Sequence, residues 1–154
     1  SFRHLRSGQR TLTERLFRDE YVNAGRKCWL INPLATPAAG LESYLATASE
    51  EVRGNYTCRN RPTWWRARVP PAAQILYSSG FKTAGPKMYK NEVGAVHVGA
   101  VHGIYCQTKK SAGALMAQLL EMDFSKRVVP LSGGFLKIEV NQMNAVLNQL
   151  CAPR

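Results

Sequence analysis

The sequence predicts an α+β fold: a single compact domain in which a mixed or antiparallel sheet is flanked by three to four helices. Three observations carry that expectation. Short apolar runs with period-two alternation recur between residues 64 and 106. Longer segments with apolar residues three and four apart lie on either side of them. The two kinds do not alternate with the regular spacing of βαβ units. A chain of 154 residues suits one core, burying roughly 68–70% of its unfolded surface. Its 45% hydrophobic and 20% charged content is that of a globular chain rather than a disordered one.

Taken in order, Thr11 caps an expected helix over 12–21 with Leu12, Leu16 and Phe17 on one side, and Gly25 ends it. Cys28-Trp29-Leu30-Ile31 reads as a short buried strand stopped by Asn32-Pro33. Thr36-Pro37 opens a second helix, because a capping hydroxyl precedes a proline suited to the first turn. Leu41, Tyr44, Leu45, Ala48 and Val52 form its expected buried stripe, and Gly54-Asn55 closes it near residue 53. Trp64 to Val69 alternates as a strand: Trp65, Ala67 and Val69 point one way, Trp64, Arg66 and Arg68 the other.

Pro70-Pro71 ends that segment, and Gln74 to Tyr77 reads as another strand. Gly80, Gly85 and Pro86 mark Ser78–Lys87 as a flexible loop. Tyr89 to Cys106, rich in Val and Gly without helical period, reads as two strands with a tight connection. Ser111 opens a helix with Leu115, Met116, Leu119, Leu120 and Met122 inside. Ser132-Gly133-Gly134 turns into a strand at Phe135–Val140, and Asn141 caps a last helix carrying Val146, Leu147 and Leu150.

The charge balance points to partners rather than to fold. The chain has 21 Lys and Arg against 10 Asp and Glu, a net charge of +11 with a pI near 9.9. No apolar run reaches the roughly 20 residues that span a bilayer, and no amphipathic helix has a dense cationic face, so no membrane partner is expected. The four cysteines are scattered and form no disulfide framework, which leads to an expectation of reduced thiols in a cytoplasmic protein.

Catalytic patterns are missing. The sequence has no Gly-rich nucleotide loop in strand–turn–helix context, no G-x-S-x-G elbow and no paired carboxylates. Asn32-Pro33 is followed by Leu34-Ala35, not by the proline and aromatic that an amine-methylating loop needs. His97, His102 and Cys106 sit in a GAVH echo, but their spacing is not that of a zinc finger and a fourth ligand is not evident, so no metal is expected.

The strongest signal runs from Val52 to Asn91, a stretch without Asp or Glu. It carries Arg53, Arg59, Arg61, Arg66, Arg68, Lys82, Lys87 and Lys90, interleaved with Tyr56, Trp64, Trp65, Tyr77, Phe81 and Tyr89. Cations neutralise a polyanion and release its counterions, while aromatic and guanidinium planes stack on bases and sugars. Arg59, Arg61, Arg66 and Arg68 are the candidates for phosphates or base edges, with the Trp64 indole beside them. Trp65 is expected to be chiefly core. Lys82, Lys87 and Lys90 make a second cluster on a loop, and Tyr89, Asn91 and Tyr105 are candidates for stacking or bonding to the sugar-phosphate backbone.

Three segments share an order with a known family. Tyr56 to Trp65 reads Y-x-C-R-x-R-x-x-W-W, Asn91 to Tyr105 ends H-G-I-Y, and Gly133 to Glu139 reads G-G-x-x-K-I-E. From about residue 28 to 150 the chain thereby resembles the C-terminal target-recognition region of gamma-class N6-adenine DNA methyltransferases, the TaqI-like specificity domains. The resemblance implies a double-stranded DNA recognition domain over 28–152, with 1–27 an Arg-rich lead-in from an upstream methyltransferase domain. It implies a restriction–modification setting, no cofactor in this chain and S-adenosylmethionine in the upstream domain, whose cofactor segment and N/D-P-P-aromatic loop are missing here. The absence of an initiator Met fits an excised piece of a site-specific adenine methyltransferase. The competing expectation is a standalone basic protein that binds RNA or ribonucleoprotein.

Overall fold

A computed structural model describes residues 11–32 and 37–151, apart from the side chains of Lys109 and Val129. The first elements in chain order are β1 (Thr11–Leu12), α1 (Glu14–Phe17) with a π-helical turn at Arg18–Val22, α2 (Ala39–Ala46), α3 (Glu50–Gly54) and α4 (Tyr56–Arg59). Four strands follow: β2 (Ile75–Ser78), β3 (Gly80–Phe81), β4 (Met88–Asn91) and β5 (Val101–Ile104). The chain ends with α5 (Lys109–Glu121), β6 (Val129–Pro130), β7 (Leu136–Lys137) and α6 (Val140–Cys151). The fold is α+β, as the mixed apolar periods require. It divides into two compact units, Ser1–Cys28 with Pro70–Arg154, and Trp29–Val69.

In the larger unit, β2 is the hub of a four-stranded sheet ordered β1-β4-β2-β5. It pairs antiparallel with β4 (Leu76 opposite Tyr89) and with β5 (Ile75 opposite Ile104), while β1 runs parallel to β4. Because successive side chains alternate faces, β2 serves two cores. Ile75 and Tyr77, with Met88 and Ile104, pack on Ala112, Met116 and Leu119 of α5 and Met143 and Val146 of α6. Leu76, Tyr89 and Val101 face the other way, onto Leu12, Tyr21, Cys28 and Ala73. The Arg-rich lead-in thus contributes a strand, a helix and buried Leu12 and Tyr21 to this unit. A second sheet, β3-β7-β6, turns at Gly133 and Gly134, both with φ near +70°.

Several boundaries differ from expectation. Thr11 is in β1, and Thr13 instead caps α1 through a 3.3 Å bond from Leu16 N–H. Ser79 N–H and hydroxyl both donate to Ala100 O, and β3 begins at Gly80, so Ser78–Lys87 is not simply a loop. β4 and β5 are joined by residues 92–100 rather than by a tight turn. Thr108 caps α5, with Ser111 as its reciprocal partner, and α6 starts at Val140, placing Asn141 inside the helix. The expected strand at 135–140 shrinks to Leu136–Lys137 because β6 offers only a two-residue partner.

The smaller unit departs further. Residues 28–31 form no strand, and Trp29 is 72% exposed. The Thr36-Pro37 helix start falls partly outside the described residues; the helix itself begins at Ala39 and is interrupted after Ala46. Ser49 caps α3 by accepting from Val52 N–H at 3.3 Å, so the expected single helix is two, and Tyr44 and Val52 of its stripe are exposed. Asn55 then caps α4, accepting from Cys58 N–H at 2.9 Å.

Candidate nucleic-acid interface

The expected strand at Trp64–Val69 is absent: Arg66 N–H donates to Thr63 O at 3.0 Å in a turn, and the residues beyond have no ladder partner. From Trp65 onward the alternation persists in burial, with Trp65, Ala67 and Val69 half-buried and Arg66 and Arg68 exposed, but Trp64, expected on the arginine face, is half-buried too. One long-range bond holds the segment in place. Ala67 N–H donates to Asn32 Oδ1 at 3.1 Å, across thirty-five residues of chain. Arg66, Arg68, Asn32, Thr63 and Pro62 line a cleft of about 460 Å³ with no carboxylate among its lining residues.

Upstream, Trp64 is half-buried and packs its ring edge-on to Trp65, with centroids 5.6 Å apart and planes at 89°. Trp65, expected to be chiefly core, is only half-buried and belongs to neither hydrophobic core, though its indole N–H is enclosed with no acceptor among the described residues. Arg59 is exposed at the end of α4 and Arg61 is half-buried. Arg59, Arg61, Arg66 and Arg68 make no ion pair with described residues, so their charge is not neutralised internally.

The candidates in the larger unit separate into surface and interior groups. Lys82 and Lys87 are exposed, whereas Lys90 is half-buried and pairs with Glu92 at 3.0 Å. Tyr89 has no exposed surface and lies in the second core, so its ring has no face to offer a ligand. Asn91 is buried too: its Nδ2 donates to Ala73 O and Ala95 O at 2.7 and 2.9 Å, and its Oδ1 accepts from Ala95 N–H at 3.0 Å. It clamps the turn after β4. Sequence order alone could not separate these two from their exposed neighbours.

Tyr105 is 53% exposed, but its hydroxyl donates to Pro71 O at 3.3 Å and lies 3.3 Å from His97 Nε2. His97 also contacts Val101 O through Nδ1 at 3.1 Å. A Cβ on Gly103 would lie 2.7 Å from His97 Nε2 and 2.5 Å from Ala73 Cβ, which explains the glycine of the H-G-I-Y segment. His102 stacks obliquely on Tyr77, with centroids 5.5 Å apart. Burial, followed by the neighbouring His97, holds its pKa below the ordinary value, against the pull of Glu139. Burial, with Glu139 adding, pushes Tyr77 up to about 12. Among the described residues no three His, Cys, Asp or Glu converge to hold a metal.

Residues 3–122 match the family model for the C-terminal domain of the Type II methyltransferase M.Eco57I. The chain belongs to that family. No curated protein and no solved structure matches it. The match covers both the Tyr56–Trp65 and Asn91–Tyr105 segments, so the acid-free, arginine-rich cleft is part of a Type II methyltransferase C-terminal domain. Within that domain, sequence reasoning missed Asn32 and Arg53, both of which position the Trp64–Arg68 segment from a distance. Arg53 stood in the acid-free basic stretch, but nothing local marked its contact with Trp64, and nothing marked Asn32 as the partner of Ala67.

Proposed function

We propose that this domain holds double-stranded DNA for a SAM-dependent adenine-N6 methyltransferase of a restriction–modification system, as a TaqI-like, gamma-class target-recognition domain. The observation that carries the reading is the pair of exposed guanidiniums, Arg66 and Arg68, on a cleft without carboxylates. A phosphate entering there meets two positive forks and no opposing charge. Arg59, Arg61 and Lys82 add unpaired cations, and the exposed ring of Tyr105 offers a stacking plane. Asn91 and Tyr89, being interior, support the scaffold instead.

In this reading the catalytic domain lies upstream, and S-adenosylmethionine bound there supplies the methyl group. This chain has no N/D-P-P-aromatic loop, so none of its residues is given a step in methyl transfer. Its part is to fix the register of the duplex while the adenine leaves the stack. A cytoplasmic location goes with this reading; among the described residues no helix is long and apolar enough to cross a membrane.

The test is a duplex-binding titration across salt. If Arg59, Arg61, Arg66, Arg68 and Lys82 each engage a phosphate, log K falls against log salt with a slope of about −4.5. The double variant Arg66→Ala/Arg68→Ala loses more than about tenfold in affinity with unchanged thermal stability. A slope near zero, or full affinity in that variant, defeats the reading. A clear preference for folded RNA in competition favours the ribonucleoprotein alternative.

A further inference from the structure

A second cleft in the smaller unit, of about 230 Å³, differs in its chemistry from the one that holds Arg66 and Arg68. Leu45 and Ala46 of α2 and the Trp64–Trp65 pair form apolar walls, and Arg53 and Glu42 supply the charge. Arg53 is held unusually firmly for an exposed arginine. Its Nη2 donates to Ala46 O at 2.8 Å, in the last turn of α2, and to Leu45 O at 3.4 Å, which also accepts from Ala48 N–H. Its guanidinium carbon lies 5.4 Å from the centroid of the Trp64 ring. Two restraints in different directions fix the plane of the fork. The donors on Nε and Nη1 have no partner among the described residues.

We propose that Arg53 is a base-reading residue whose Nη1 group donates to the N7 acceptor of a guanine in the major groove. The proposal rests on the DNA-binding reading above and deepens it by dividing labour between the two clefts. Glu42 is the reason for assigning a base rather than a phosphate. A carboxylate lining the cleft repels an anion but tolerates a neutral base edge, and it can accept from the amino group of a paired cytosine. Preorganisation strengthens the assignment, because an arginine already stacked and bonded loses little rotamer freedom when it meets its target. Arg66 and Arg68, exposed and without such restraints, suit sequence-independent phosphate contact.

The experiment pairs a change in the protein with a change in one atom of the DNA. Duplexes enriched by the full chain from a randomised pool are prepared with guanine and with 7-deazaguanine, which lacks the N7 acceptor. The wild-type chain is expected to lose about tenfold in affinity on the 7-deazaguanine duplex, while Arg53→Met, which has no donor, binds both duplexes equally. Circular dichroism and tryptophan emission of Arg53→Met check its fold. If the variant merely disturbed the fold, the loss would be similar on both duplexes and the guanine dependence would persist, which overturns the proposal. Wild-type indifference to 7-deazaguanine, or enrichment of sites without guanine, overturns it as well. If the chain binds no duplex at any salt concentration, the DNA reading itself has failed.

Discussion

The two units are built on different principles. Every buried hydrophobic residue among those described lies in the larger unit, where β2 is covered on both faces. The smaller unit, Trp29–Val69, has no fully buried described side chain and exposes Trp29, Tyr44 and Tyr56 at 72%, 60% and 77%. Its local order comes instead from the Ser49 and Asn55 caps, the Asn32–Ala67 bond and the Arg53–Trp64 contact. Each such contact contributes on the order of 1 kcal/mol, whereas one fully buried side chain contributes about 1.5–3 kcal/mol. The smaller unit carries the arginine-rich surface on a scaffold with little burial.

This contrast can be broken by substitution. Leu76→Ala removes a fully buried side chain from the second core and is expected to cost about 3 kcal/mol in urea unfolding. Tyr44→Ala, on the exposed side of the smaller unit, is expected to cost no more than about 0.5 kcal/mol. Equal costs would abolish the distinction. Asn32→Ala sharpens it: losing the acceptor for Ala67 N–H costs the smaller unit on the order of 1 kcal/mol, leaves the unfolding of the larger unit unchanged, and loosens the segment that carries Arg66 and Arg68. Duplex affinity should fall about threefold, in line with one net hydrogen bond.

The smallest expected effect is a pH dependence confined to the larger unit. The pKa of His102 is lowered in the folded state, mainly by burial and then by His97, with Lys137 acting in the same direction and Glu139 opposing. The unfolded chain then binds the proton more readily, so stability falls as pH drops through the ordinary histidine value of 6.5 and below. His102→Gln should show a smaller loss of melting temperature between about pH 7 and about pH 5 than the wild type. An identical loss in both proteins would remove His102 from the account.

Legibility followed burial. The β2 segment, with three successive buried residues, and the α5 and α6 helices were readable because most of their apolar positions pack as the period requires, although Leu120, expected on the inner side of α5, is exposed. The two-faced reading of Trp64–Val69 holds from Trp65 onward but not at Trp64, and the strand reading fails, since a strand also needs a neighbour for its backbone groups. Cys28–Ile31 had the composition of a buried strand, yet only Cys28 is buried. Tyr89 and Asn91 sat beside surface lysines in sequence, but alternation and a local hydrogen-bond clamp turned them inward. The motif order from Tyr56 to Tyr105 lies within the span that places the chain in the Type II methyltransferase family.

By itself, the sequence determined the α+β class, the excess of positive charge, the acid-free stretch and the family, because composition, period and motif order are properties of the chain alone. Only the tertiary structure decided which members of the basic-aromatic stretch face solvent. It also decided that Asn32 steadies Ala67 and that Arg53 rests on Trp64. Those contacts join residues far apart along the chain, and a side chain's partner in space leaves no mark on its neighbours in sequence.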